Sequence, residues 1–170
     1  MPCGFQRGWE WIVAHGAKIA SPGLAIVHGD FQPNNIILRD GPDESSECAV
    51  VVDWTSATVS DYRFDLAWPL PILYRHSDGA LRSSILAEYE RRSGRKVEDI
   101  EFFEVIACFA RLRRVYAVIT EGAARSGARA GVEETMRGQL PILRQLYDRY
   151  RELTDLAIPE LEELLTPVKA

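Results

Sequence analysis

Apolar residues recur at helical spacing near the start of the chain. Phe5, Trp9, Ile12, Val13 and Ile19 fall mostly on one face, which predicts a helix over 5–20, and Ser21-Pro22-Gly23 stops it. Residue type makes Trp9 and Trp11 packing residues and His15 a surface or capping residue. The pattern then shifts to short apolar runs. Leu24 to Val27 leads as a strand into a polar loop at His28. Ile36 to Leu38 and Cys48 to Val52 read as two strands of a hairpin, with Arg39-Asp40-Gly41-Pro42-Asp43 as its turn chemistry. After Asp65 the chain reads as helical. Leu66 to Tyr74 is apolar and broken by Pro69 and Pro71, and 78–93 is an amphipathic helix ending at Gly94. A long helix over 97–121 buries Phe102, Val105, Ile106, Phe109, Leu112, Val115, Tyr116 and Ile119. A small-residue loop over 122–131 precedes a helix over 132–153, disturbed near Pro141, and an acidic helix over 158–165. The expected fold class is α+β, mainly helical.

Composition narrows this picture modestly. The 170 residues suit one domain over 1–170. Hydrophobic content of 46% and charged content of 26% are those of a globular protein. A net charge of -5 argues against nucleic acid as a partner. Cys3, Cys48 and Cys108 show no metal-type or C-x-x-C spacing, and reduced thiols in a cytoplasm are the simplest reading. The most apolar long stretch, 102–120, contains Glu104, Arg111, Arg113 and Arg114 and is too charged to span a bilayer. No membrane partner is expected.

The chemistry concentrates in His28-Gly29-Asp30-Phe31-Gln32-Pro33-Asn34-Asn35. An Asp two residues after a His, with an Asn five residues later, is the spacing of a kinase catalytic loop. There the carboxylate takes the acceptor hydroxyl's proton and the carboxamide holds a metal ion. Asp53, at the end of the second hairpin strand in Asp53-Trp54-Thr55, stands where kinases carry their metal-binding Asp, and Asp61-Tyr62-Arg63-Phe64-Asp65-Leu66-Ala67 follows. In order and separation these pieces resemble the aminoglycoside phosphotransferase and choline kinase-like family, small-molecule kinases related to protein kinases. That family's loop reads H-G-D-x-x-x-x-N, its metal Asp lies in I-D-W or similar, and a D-x-x-x-D-L-A segment comes after.

The resemblance implies a protein kinase-like C-terminal lobe in which a small β-hairpin carries the catalytic loop. It implies an ATP-dependent phosphotransferase acting on a hydroxyl of a small molecule. Asp30 would be the catalytic base. Asn35 and Asp53 would hold Mg2+ and, with it, ATP or another nucleoside triphosphate. His28 and Asp65 would be structural, Asp65 as an N-cap or a loop brace, with Asp61 in similar work. Gln32 would line the site or touch substrate, and Asn34 would serve the loop's own hydrogen bonds. Arg111, Arg113 and Arg114 read as a solvated face, with phosphate binding as the alternative.

Kinase-like folds also use an N-terminal lobe with a glycine-rich loop, a phosphate-binding Lys on a strand and a helix Glu. The 27 residues before His28 have no glycine-rich strand-turn-strand, and Lys18 falls on the predicted helix. The resemblance is therefore expected to cover the C-terminal lobe only. Three explanations stay open: a piece of a larger kinase, a missing N-terminal lobe supplied by another polypeptide, or a stand-alone remnant. The alternative function is a non-catalytic helical interaction module derived from such a lobe. An exposed apolar surface near the first helix and the hairpin is expected, and with it a homo-oligomer.

Overall fold

Short apolar runs and long helical periodicity become strands and helices in the computed structural model, which describes residues 2–41, 47–74, 79–129 and 131–166. The chain is mainly helical and divides into two compact units, residues 20–103, and residues 1–19 with 104–170.

The unit over 20–103 holds the strands. β1 (Ala25–Val27) leads to the polar loop; β2 (Ile36–Asp40) and β3 (Glu47–Val51) form the expected antiparallel hairpin, with Ile36 opposite Val51 and Arg39 opposite Cys48. Of the turn chemistry, Pro42 and Asp43 lie outside the described residues. A strand absent from the sequence reading, β4 (Thr58–Ser60), pairs antiparallel with β1, Ala25 opposite Ser60 and Val27 opposite Thr58. Three residues with one apolar side chain among them carry too weak an alternation to stand out. Helices α2 (Arg63–Ala67), α3 (Leu70–Tyr74) and α4 (Ala80–Ser93) complete the unit with the first residues of α5 (Ile100–Glu121). Pro71 does not break a helix. It sits in the first turn of α3, where a missing N–H costs nothing. α4 stops at Gly94 in the left-handed conformation as expected, but it buries no residue fully, so the amphipathic reading overstated its packing.

Arg63 locks this unit from inside. Its side chain is 3% exposed. It donates to both Asp61 oxygens, from Nε at 3.0 Å and Nη2 at 2.7 Å, to the Glu98 carbonyl at 2.9 Å and to the Ala20 carbonyl at 2.6 Å. The guanidinium also lies 4.5 Å from the centroid of the Phe103 ring. Hydrogen bonding to Asp61 raises the Arg63 pKa against the opposing effect of burial. A guanidinium this deep is tolerated because its donors are satisfied.

The second unit is helical. α1 spans Cys3–Gly16 and is shorter than expected, leaving Ile19 and Lys18 beyond its end. α5 from Glu104 onward, α6 (Val132–Gly138), α7 (Leu140–Thr154) and α8 (Pro159–Leu165) supply the rest. The break before Pro141 falls where expected, with the proline at the start of α7. Phe5, Phe109, Leu112, Leu146, Tyr147, Tyr150 and Leu161 form the core. Gly8 is needed there, since a Cβ would meet Tyr150 Oη at 2.6 Å and Phe109 at 2.8 Å. Two sequence readings need correction. Trp9 is 50% and Val13 55% exposed rather than packed. On α5 Val105, Phe109, Leu112 and Ile119 are buried as expected, but Phe103 is buried while Phe102 is only half-buried. Glu104, the next residue, is fully buried against Arg149 at 3.1 Å; apolar periodicity alone would have placed such a residue outside.

Candidate functional site

The loop from His28 to Asn35 is built around its backbone. His28 follows β1 and is 1% exposed. Its Nδ1 accepts the Asp30 N–H at 3.2 Å, which puts the ring proton on Nε2, and Nε2 donates to the Val52 carbonyl at 2.8 Å. The ring thus ties the loop to the end of β3. Trp54 packs against it with centroids 4.8 Å apart, and its own indole donates to the Val51 carbonyl at 3.0 Å. Gly29 has φ 78°, and a Cβ there would lie 2.5 Å from the Ser56 carbonyl oxygen. Only glycine fits both constraints. Asp65 accepts from the backbone N–H groups of His28 and Gly29, the latter at 2.9 Å. It lies within α2, not at its cap. Of the two roles open to it, the loop brace is the one found.

These braces deliver Asp30 half-buried and held on both oxygens. Trp68 Nε1 donates to Oδ1 at 2.9 Å. Gln32 Nε2 donates to Oδ2 at 3.1 Å, and Asn35 Nδ2 donates to the same oxygen at 3.2 Å and to the Asp30 carbonyl at 2.9 Å. Gln32 therefore belongs to the site through Asp30. Trp68 was missed by the sequence reading, since an indole in an apolar run next to Leu66-Ala67 reads as packing.

Asn35 closes the short 3-10 turn Pro33–Asn35, and its carbonyl accepts the Val52 N–H at 2.9 Å. It thus stands across the hairpin from Val52, one residue from Asp53. Its amide nitrogen is engaged by Asp30, which leaves Oδ1 as the outward donor atom. Asp53 is exposed, with φ 62° and ψ 59°. That left-handed conformation is uncommon outside glycine but accessible to Asp, and such outliers gather at functional sites. Thr55 Oγ1 donates to Asp53 Oδ1 at 2.7 Å. An amide oxygen and a carboxylate at adjoining strand ends are hard donors of the kind Mg2+ takes, with phosphates and water filling the remaining positions. Among the described residues no three His, Cys, Asp or Glu side chains are grouped as a metal site. No described helix is long and apolar enough to cross a membrane.

No curated protein and no solved structure matches this chain. A family model does: the one described as phosphotransferase enzyme family (APH) matches residues 5–103. That is more than half of the chain, and it spans the braced loop, the hairpin and Trp68. On that match the chain belongs to the phosphotransferase enzyme family.

Proposed function

We propose that this chain is the C-terminal, kinase-like lobe of an ATP-dependent phosphotransferase that acts on a hydroxyl group of a small molecule. The observation that carries this reading is Asp30. Its carboxylate is fixed by Gln32, Asn35 and Trp68 on a loop whose backbone is braced by His28 and Asp65. Phosphoryl transfer is dominated by positioning and electrostatics, and a carboxylate held on both oxygens is prepared for that work.

Asp30 orients the acceptor hydroxyl and receives its proton as the acceptor oxygen bonds to the terminal phosphorus and the bond to ADP breaks. Asn35 Oδ1 and the Asp53 carboxylate would hold Mg2+. The metal, when bound, neutralises charge on the phosphate oxygens. A carboxamide at Asn35 avoids a third negative charge beside Asp30 and Asp53. Thr55 fixes the Asp53 rotamer, and Trp54 together with His28 holds the backbone that presents it.

The test is calorimetry of Mg-ATP with the chain, using Asp53→Ala as the control, followed by a transfer assay over hydroxyl acceptors with Asp30→Ala. Binding lost in the first variant and turnover lost in the second are expected. Wild-type turnover by Asp30→Ala would overturn the assignment.

One observation favours a second reading, an interaction module that keeps the loop as scaffold. Leu24, Ile26 and Val59 are 78%, 76% and 62% exposed, and Leu38 on the hairpin is 67% exposed. Apolar surface of this kind on one unit is what a protein partner covers. Under that reading Asp30→Ala leaves partner binding unchanged and Mg-ATP does not bind.

A further inference from the structure

The helical unit has a concavity that shares no residue with the loop around Asp30. It is a cavity of about 410 Å3 walled by α1, α5 and the loop that follows α5. Its size falls within the range of small-molecule sites, roughly 300–1,000 Å3. Along α5, Ala110, Arg113 and Arg114, Ala117 and Glu121 recur three or four residues apart, so they share one face. Ala117 leaves space between the two arginines and Glu121, two turns beyond them. Arg125 enters from the loop.

Three guanidinium groups thus line one cavity with a single carboxylate, Glu121, on a chain whose net charge is -5. All three are exposed, and none has an ion-pair or hydrogen-bond partner among the described residues. The acidic residues of the chain have not been used to neutralise them. The loop carrying Arg125 is tied down, because Ser126 Oγ donates to the Gly122 carbonyl at 2.9 Å and Glu133 accepts the Ala123 N–H. The lining also includes Tyr116, which packs on the fully buried Phe5 with ring centroids 5.1 Å apart.

We propose that this cavity binds a small organic phosphate monoester. The guanidinium groups take the dianion, for which their forked donors are suited. The half-buried Tyr116 ring, backed by Phe5, takes a flat apolar body attached to it. Three guanidinium groups beside the one Glu121 carboxylate leave two positive charges, which match a phosphate dianion better than a carboxylate monoanion.

Calorimetry of the whole 170-residue chain with phenyl phosphate tests this, beside inorganic phosphate and benzoate. Phenyl phosphate is expected to bind more tightly than either. Arg113→Gln and Arg114→Gln should each weaken it about tenfold, the loss of a charge-assisted hydrogen bond, and Tyr116→Leu should narrow its advantage over inorganic phosphate. Asp53→Ala should leave it unchanged. Circular dichroism of each variant confirms folding, and Arg125→Gln, on a loop, provides a further substitution outside the helix. The proposal is overturned by an absence of binding at millimolar phenyl phosphate, or by binding that survives loss of all three arginines. Benzoate binding equally well would overturn the phosphate class. Binding abolished by Asp53→Ala would place the phosphate at the other site and overturn the proposal as well.

Discussion

The indole of Trp68 donates its Nε1–H to Asp30 Oδ1 at 2.9 Å. If Asp30 is the base, this bond fixes the plane of its carboxylate from the side opposite Gln32 and Asn35. Trp68→Phe keeps the apolar bulk and removes the donor. The expected result is a fall in kcat of about tenfold, the scale of one hydrogen bond to a charged group, with the nucleotide KM little changed. Steady-state kinetics decide it; an equal loss in KM alone would mean that Trp68 serves nucleotide binding instead.

Gly29 makes a separate prediction about stability. Gly29→Ala forces a side chain into the left-handed region and into the Ser56 carbonyl, 2.5 Å away. The cost is expected at about 1–3 kcal/mol, read as a lower urea midpoint. An unchanged midpoint would mean that the loop relaxes freely, and the braces from His28 and Asp65 would then be weaker than their geometry suggests.

Glu160 predicts a pH dependence within the helical unit. Its Oε1 accepts the Gly4 N–H at 3.0 Å at the start of α1. Burial acts to raise its pKa, but backbone donors at Gly4 and Cys3 outweigh this, and the net result is a lowering from the usual value near 4.5. A lowered folded-state pKa means stability that is present above the unfolded value and lost as pH falls through the folded one. Glu160→Gln is therefore expected to be less stable than wild type at neutral pH by about 0.3–1 kcal/mol, the size of an anion at a helix N-terminus. The difference should vanish in acid below the ordinary glutamate range. Thermal melts across pH would show it, and a constant difference at all pH values would refute it.

Self-association is the fourth expectation. β1 and β4 form a sheet of two strands, so each keeps an outer edge unpaired among the described residues. Ile26 and Val59, direct partners in that sheet, are both largely exposed. Exposed apolar edge strands favour pairing with another copy. Sedimentation should show a concentration-dependent dimer that Ile26→Thr with Val59→Thr abolishes. A clean monomer at high concentration would remove the prediction.

Much of the loop was readable in advance because its chemistry is local in sequence. The spacing from His28 to Asn35, the turn residues of the hairpin and the Asp65 segment all lie in short windows. What escaped depends on distant pairs. Trp68 reaches Asp30 across 38 positions, and the β1–β4 pairing joins residues more than thirty apart. Glu104 is buried only because Arg149 meets it. Trp9 shows the reverse failure: residue type argues for burial, and its place on α1 leaves it half in solvent.

Arg63 binds the Ala20 and Glu98 carbonyls and Asp61 through one guanidinium. Those three points lie near the beginning, the middle and the end of the unit over 20–103. A single side chain therefore joins segments that would otherwise open independently, and the unit should exchange its amide protons as one cooperative block rather than fraying from its ends. Arg63→Met would uncouple them, so that hydrogen exchange near Ala25–Val27 and near Ile100 quickens to different extents while it was previously matched.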